Sequence, residues 1–193
     1  YPFAVKNNGK YAIPEGAGRK IALNAAQFID VINYPILPEL EKWRDLWIFS
    51  FYCNGANISD ILRFKYENIV DGNYIEWHRR KTTSRKKEKI KIKAVISPEM
   101  RTIIETYGNP DTSPHNYIFN YLRPGLSPLQ ENLIIKNTIH NINRLMTSIG
   151  KALGISKLTT YAARHSWASI SRREGVSLFG ISKGMGHQSP ATT

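Results

Sequence analysis

Residues 68–96 read NIVDGNYIEWHRRKTTSRKKEKIKIKAVI, and the two-residue rhythm within them sets the fold class. Apolar and polar side chains alternate in NIV, in NYIEWHRR and in KIKIKAVI, as they do in strands that bury one face. DGN at 71–73 is a strong signal for a tight turn joining two antiparallel strands. The segment therefore predicts a small three-stranded antiparallel sheet. It is also the most basic part of the chain. Arg79, Arg80, Lys81, Arg85, Lys86, Lys87, Lys89, Lys91 and Lys93 make up nine of the 27 Lys and Arg residues, and only Glu88 opposes them between Arg79 and Lys93. In KIKIK the alternation puts Lys89, Lys91 and Lys93 on one face and Ile90 and Ile92 on the other. Such a hairpin either presents a solvated face or lies against phosphates, and the overall charge suits phosphates better.

On either side of this segment the period lengthens to that of helices. Residues 1–20 (YPFAVKNNGKYAIPEGAGRK) are rich in Gly, Pro and Asn and read as an entry segment or linker. Asn24 can cap a helix to about Tyr34 that buries Phe28, Ile29 and Ile32. After PILPE a longer helix runs to about Cys53, with Leu40, Trp43, Leu46, Trp47 and Phe51 at helical spacing. NGANISDILRF (54–64) is a break followed by a short helix burying Ile58, Ile61 and Leu62. SPEM (97–100) opens a helix to about Tyr107, and GNPDTSPHN (108–116) is a polar loop. Ser127–Pro128 starts the longest helix, which Gly154 closes. Thr159 or Thr160 caps a further helix, and Ser177 caps one more. The expected fold is mainly α with one small antiparallel sheet (α+β).

The chain has 193 residues, 41% of them hydrophobic, enough for one domain with a packed core. Lys and Arg outnumber Asp and Glu by 27 to 15, a net charge of +12 whose usual partner is nucleic acid. No basic amphipathic helix and no membrane-length apolar run stands out, so a membrane is not an expected partner. Cys53, the single cysteine, rules out an internal disulfide and a thiolate zinc cluster, and reads as a buried thiol. The chain begins at Tyr1 without methionine or signal peptide and is expected to be a piece of a longer protein.

Most catalytic signatures are missing. There is no G-x-S-x-G and no P-loop, and GAGRKI (16–21) lacks the third glycine and the preceding strand of a dinucleotide fingerprint. The five histidines show no metal-ligand spacing, and the carboxylates are too scattered for a two-metal nuclease. No metal and no cofactor is expected. What remains is cationic chemistry on an anion, and TTYAARHSWAS (159–169) offers it. In a helix starting near Thr160, Tyr161, Arg164 and His165 share a face in the first two turns, where free N–H groups already favour an anion. Ala162, Ala163 and Ala168 leave room for a phosphate to approach the guanidinium, whose fork suits two oxygens at once. Arg164 could equally be structural, holding a carboxylate or a helix-terminal carbonyl, and His165 reads better as a satisfied core histidine.

Together with GMGHQSPATT (184–193), this stretch resembles the signature of the tyrosine recombinases, the phage-integrase type of site-specific recombinase. That family carries H-x-x-R-H, often with Tyr as its first residue, then L-G-H or similar, then S-x-x-T-T, with the nucleophilic tyrosine a few residues further on. NGANISDILRFKYENI (54–69) resembles the segment holding a first catalytic arginine in T-G-x-R-x-S-E-L. IEWHRRKT (75–82) resembles the strand that ends at a catalytic lysine. YPF…KYAIP and the NGANISDILRFKY block are most similar to integrases of Bacteroidetes mobile elements.

The resemblance implies a domain at 21–193 that cleaves and rejoins double-stranded DNA at attachment sites through a 3′-phosphotyrosine, without metal, preceded at 1–20 by a linker from another DNA-binding domain. Lys81 would protonate the leaving 5′ oxygen, Arg164 would hold the scissile phosphate, His187 would donate to it, and Tyr161 would take the place of the first motif residue. His165 would buttress Arg164. Arg79, Arg80, Thr82, Arg85, Lys86 and Lys87 would bind DNA. The setting implied is the cytoplasm and nucleoid of a bacterium, with other protomers joining on DNA and the piece itself monomeric without it. Two departures stand out. Asn57 occupies the place of the first arginine, and the family spacing puts the nucleophile past Thr193, so these residues alone are expected to bind DNA without cleaving it. The rival reading is a non-catalytic basic DNA-binding module of recombinase-like fold.

Overall fold

The computed structural model describes residues 22–79 and 91–186. Helix α1 (Ala25–Asn33) begins at Asn24, whose side chain accepts from the Gln27 N–H at 2.8 Å while Gln27 accepts from the Asn24 N–H at 3.1 Å. This reciprocal cap satisfies two of the donors that a helix start leaves open. Helix α2 (Pro38–Tyr52) buries every residue from Leu46 to Phe51. A helical stretch buried on all sides belongs at the centre of a domain, and α2 packs on helices α4 (Pro98–Tyr107), α5 (Pro128–Ala152) and α6 (Thr160–Arg173). The short α3 (Ile58–Ile61) and the terminal α7 (Leu178–Gly184) complete the helical part of the described residues. Ser97, Ser127 and Ser177 cap α4, α5 and α7 through their side chains, as their position before each apolar run suggests.

The sheet has three strands in the order β1 (Ile69–Val70), β2 (Tyr74–His78) and β3 (Lys91–Val95), antiparallel throughout. Asp71 and Gly72, both at positive φ, make the turn between β1 and β2. Ile75, Trp77, Ile92 and Ala94 face the core, with Trp77 against Phe64 at 5.1 Å between ring centres. The expected α+β class and the three strands are both present.

Two details differ from the sequence reading. In α1 the buried pair is Phe28 and Val31, while Ile29 is 55% exposed. Phe28 stacks on Phe51 at 3.9 Å and so fixes which side of the helix faces inward; Ile29 lies more than a quarter-turn away from that side. In the sheet, the basic face is opposed by more than Glu88. The register sets Glu76 opposite Lys93, and its carboxylate pairs with both Lys91 and Lys93. Lys89 and Ile90 lie outside the described residues. Cys53 is fully buried, as expected, and burial pushes its thiol pKa far up. Among the described residues no helix is long and apolar enough to cross a membrane.

Candidate active site

The site is assembled at the start of α6 by elements that bring its N-terminus against the loop after α2. Trp47, on α2, donates from Nε1 to the Thr159 carbonyl at 2.9 Å. Asn143, on α5, accepts the Thr160 N–H at 2.8 Å, in place of a side-chain cap from Thr159 itself. The loop is held from below by Ser50, whose hydroxyl donates to the Ala56 carbonyl at 2.6 Å, and is tied to β3 by Asn54 Nδ2 donating to the Lys93 carbonyl at 3.1 Å. Asn54 and Gly55 both take positive φ there. At Gly55 the backbones come so close that a Cβ would lie 2.7 Å from the Arg164 Cα, so only glycine fits.

Arg164 is 5% exposed. Its Nη1 donates to the Gly55 carbonyl and its Nη2 to the Met185 carbonyl, each at 2.8 Å. Met185 ends α7, so one anchor is the helix-terminal carbonyl that the structural reading of this arginine called for. Burial, and secondarily the nearby charge of Arg79, pulls the Arg164 pKa down to about 10, still cationic at neutral pH. The two carbonyls fix the direction of the guanidinium fork, and the Asp60 carboxylate acts on its charge from the neighbouring helix.

Next to Arg164 opens a cavity of about 590 Å³. Asn57, Asp60, Arg63, Arg79, Thr160 and Tyr161 are on its wall. Asn57 Nδ2 donates to Asp60 at 3.4 Å. Arg63 is engaged by the Glu131 carboxylate and donates to the Ser59 carbonyl, so its charge is paired within the protein. Tyr161 is half exposed, and its ring meets the edge of His165 at 4.7 Å. Burial, then the charge of Arg164, lowers the His165 pKa and favours the neutral imidazole. His165 is expected to buttress Arg164; the ring it packs against is that of Tyr161.

Of the candidate residues, the fold brings Asn57, Arg79 and Tyr161 onto one cavity with Arg164 beside it, and His165 behind Tyr161. Lys81, His187, Arg80, Thr82, Arg85, Lys86 and Lys87 lie outside the described residues. Sequence reasoning missed Asp60, Trp47 and Asn143. It placed Arg79 along the hairpin rather than in the cavity. Counting along β2 from the DGN turn would have signalled Glu76; nothing local marks Trp47 or Asn143, whose roles depend on helix packing. Among the described residues no cluster of His, Cys, Asp or Glu could hold a metal.

Several solved structures share this architecture, among them three of recombinases or integrases. The Tn1549 transposon integrase in complex with a circular intermediate DNA superposes with a TM-score of 0.66 at 13% identity, covering 93% of this chain and 62% of that one. XerA recombinase gives 0.56 at 17% identity, with coverage of 89% and 57%. XerH site-specific recombinase bound to its difH substrate gives 0.59 at 11%, with coverage of 89% and 48%. The chain thus spans less than two thirds of the length of each. No curated protein matches it by sequence. The sequence pattern of the phage integrase family does match, over residues 24–193, and so takes in α2, the sheet and the Arg164 helix together; by that match the chain belongs to the phage integrase family.

Proposed function

We propose that this chain is the DNA-cleaving domain of a site-specific recombinase that breaks and rejoins duplex DNA through a 3′-phosphotyrosine. The observation that carries the reading is the cavity itself. Asn57, Arg79 and Tyr161 converge beside a buried Arg164 that two carbonyls hold in place, in a chain of the phage integrase family. In the reaction a tyrosine hydroxyl attacks the scissile phosphorus. The P–O5′ bond breaks, O5′ takes a proton, the tyrosine gives one up, and no water or redox step is involved. Arg164 binds the non-bridging oxygens, whose charge grows in the pentavalent state. Lys81 supplies the proton to O5′, His187 adds a donor, and Tyr161, braced by His165, borders the phosphate site. Arg80, Thr82, Arg85, Lys86 and Lys87 contact the flanking backbone, which gives affinity without sequence readout.

The partner is double-stranded DNA carrying an attachment site, in the bacterial cytoplasm and nucleoid, with further protomers assembling on that DNA. The NGANISDILRFKY block supports an origin in a mobile element of Bacteroidetes. Residues 21–193 form the catalytic domain and 1–20 the link to a preceding DNA-binding domain. The test is to incubate the full-length protein in EDTA with a nicked attachment-site duplex and to look for protein covalently joined to the 3′ end. Adduct formation supports the reading; tight binding without adduct returns the non-catalytic binding module.

A further inference from the structure

The α2–α3 loop lies between two parts of the site that the proposed chemistry has to bring to one phosphate. On one side is Arg164, anchored on the Gly55 carbonyl. On the other is the β2–β3 pair, whose strands flank the stretch of sequence in which the recombinase reading puts the proton donor, Lys81. We propose that Asn54 is a positioning residue that fixes β3 relative to Arg164, so that the proton donor and the phosphate-binding arginine address the same phosphate. The assignment rests on the recombinase reading.

Three observations converge on it. In the described sheet β3 is an edge strand, so one row of its carbonyls has no strand to bond. Lys93 offers one of them to Asn54 Nδ2 at 3.1 Å, across 39 residues of sequence. Second, the backbone of Asn54 is left-handed, at φ 53°, a conformation that asparagine adopts more readily than most residues. With the backbone so turned, the amide reaches β3 while the next carbonyl, that of Gly55, accepts Arg164 Nη1 at 2.8 Å. One planar peptide unit joins these two residues, so the sheet and the arginine are tied to the same rigid piece of chain. Third, α6 and α7 close over the amide. A Cβ built on Gly184 would lie 3.6 Å from Asn54 Nδ2 and 2.9 Å from Trp167 Cη2. Ile92, which lies against Gly186 where a Cβ would not fit, also ties β3 to this region. That contact is apolar and non-directional, whereas the hydrogen bond fixes a direction. Without the amide, Arg164 keeps both of its carbonyls, so what is released is the sheet and not the guanidinium. Asn54 takes no part in the bond changes: the tyrosyl oxygen bonds to phosphorus, P–O5′ breaks, and O5′ receives its proton from the donor.

The experiment measures single-turnover adduct formation by the full-length protein on two nicked attachment-site duplexes. One has an ordinary scissile phosphodiester, the other sulfur in place of the bridging O5′. Thiols ionise near pH 8.5, roughly, so the thiolate leaves without a proton and the second substrate bypasses the donor while still needing Arg164. Asn54→Gly and Asn54→Asp both lose the amide donor and keep a residue suited to positive φ. Each is expected to slow the phosphodiester by about tenfold or more, a part of the roughly hundred- to ten-thousandfold that a positioned acid contributes. Each should react with the sulfur substrate within about twofold of wild type, which also shows that the variant is folded. Equal slowing on both substrates would make Asn54 a purely structural residue, and wild-type rates on both would make its hydrogen bond dispensable. Slowing by only one of the two variants would assign the effect to backbone freedom or to the new charge. Each of these results overturns the assignment while adduct formation by wild type upholds the recombinase reading. If wild type forms no adduct on either duplex, both fall together.

Discussion

Replacing Gly55 with alanine tests whether the closeness of the α2–α3 loop to α6 builds the site. Gly55 sits at φ 66°, and an added Cβ would meet Arg164 Cα at 2.7 Å, Cγ at 3.1 Å and Cβ at 3.2 Å. The left-handed backbone costs a non-glycine residue about 1–2 kcal/mol. Forcing a methyl group into packed backbone costs about 1–3 kcal/mol more, and the stiffer unfolded chain returns about 0.4–1 kcal/mol. The net loss is then about 2–4 kcal/mol, which for a domain of this size lowers the melting midpoint by roughly 5–15 °C. Gly72 is the matched control: its φ is 67° but nothing lies within 4 Å of an added Cβ, so Gly72→Ala carries only the backbone cost. Thermal melts of both variants separate the two contributions. Because Arg164 Nη1 is anchored on the Gly55 carbonyl, Gly55→Ala should also slow adduct formation by more than its folded fraction explains. Equal midpoints for the two variants would refute the close-contact reasoning.

Glu76→Gln removes the carboxylate that holds Lys91 and Lys93. If those lysines then engage phosphates, the slope of log K against log salt for duplex binding steepens by about 0.9 for each one; an unchanged slope in a salt titration means they face away from DNA. His165 gives a pH signature. Its folded pKa lies below the ordinary 6.5, so between those two values the unfolded chain binds the proton and the folded one does not. Stability should therefore fall as pH drops below about 6.5, and His165→Gln should remove that part of the slope in denaturant midpoints measured across the window. A slope identical in the variant would show that His165 ionises freely in the fold.

Local signals in the sequence carried most of the architecture. Asn24, Ser97, Ser127 and Ser177 sit directly before apolar runs and do cap helices, and Asp71–Gly72 makes the turn it suggests. Those features depend on neighbours a few residues apart, which a sequence displays. The face of α1 was misjudged at Ile29 because inward direction depends on Phe28 meeting Phe51, a contact between separate helices. The site was legible in the same measure. The motif around Arg164 and the block around Asn57 identify two of its walls, since spacing within a helix fixes which side chains share a face. The carbonyl anchors of Arg164 lie 109 and 21 residues away in sequence. The place of Arg79 in the cavity follows from how β2 ends over the Met185–Gly186 turn. Nothing within a few residues of either arginine encodes those meetings.

The central claim is that Arg164 acts on the phosphate in the transition state and is more than a brace for α7. Arg164→Lys separates the two, since lysine keeps the charge that attracts DNA but loses the fork that binds two oxygens and two carbonyls. The decisive measurement is the single-turnover rate of covalent adduct formation by the full-length variant, set beside its dissociation constant for the same attachment-site duplex. A transition-state role predicts a rate at least about a hundredfold lower with affinity within about threefold of wild type. A rate that stays at the wild-type level, or that falls only in step with affinity, would contradict it.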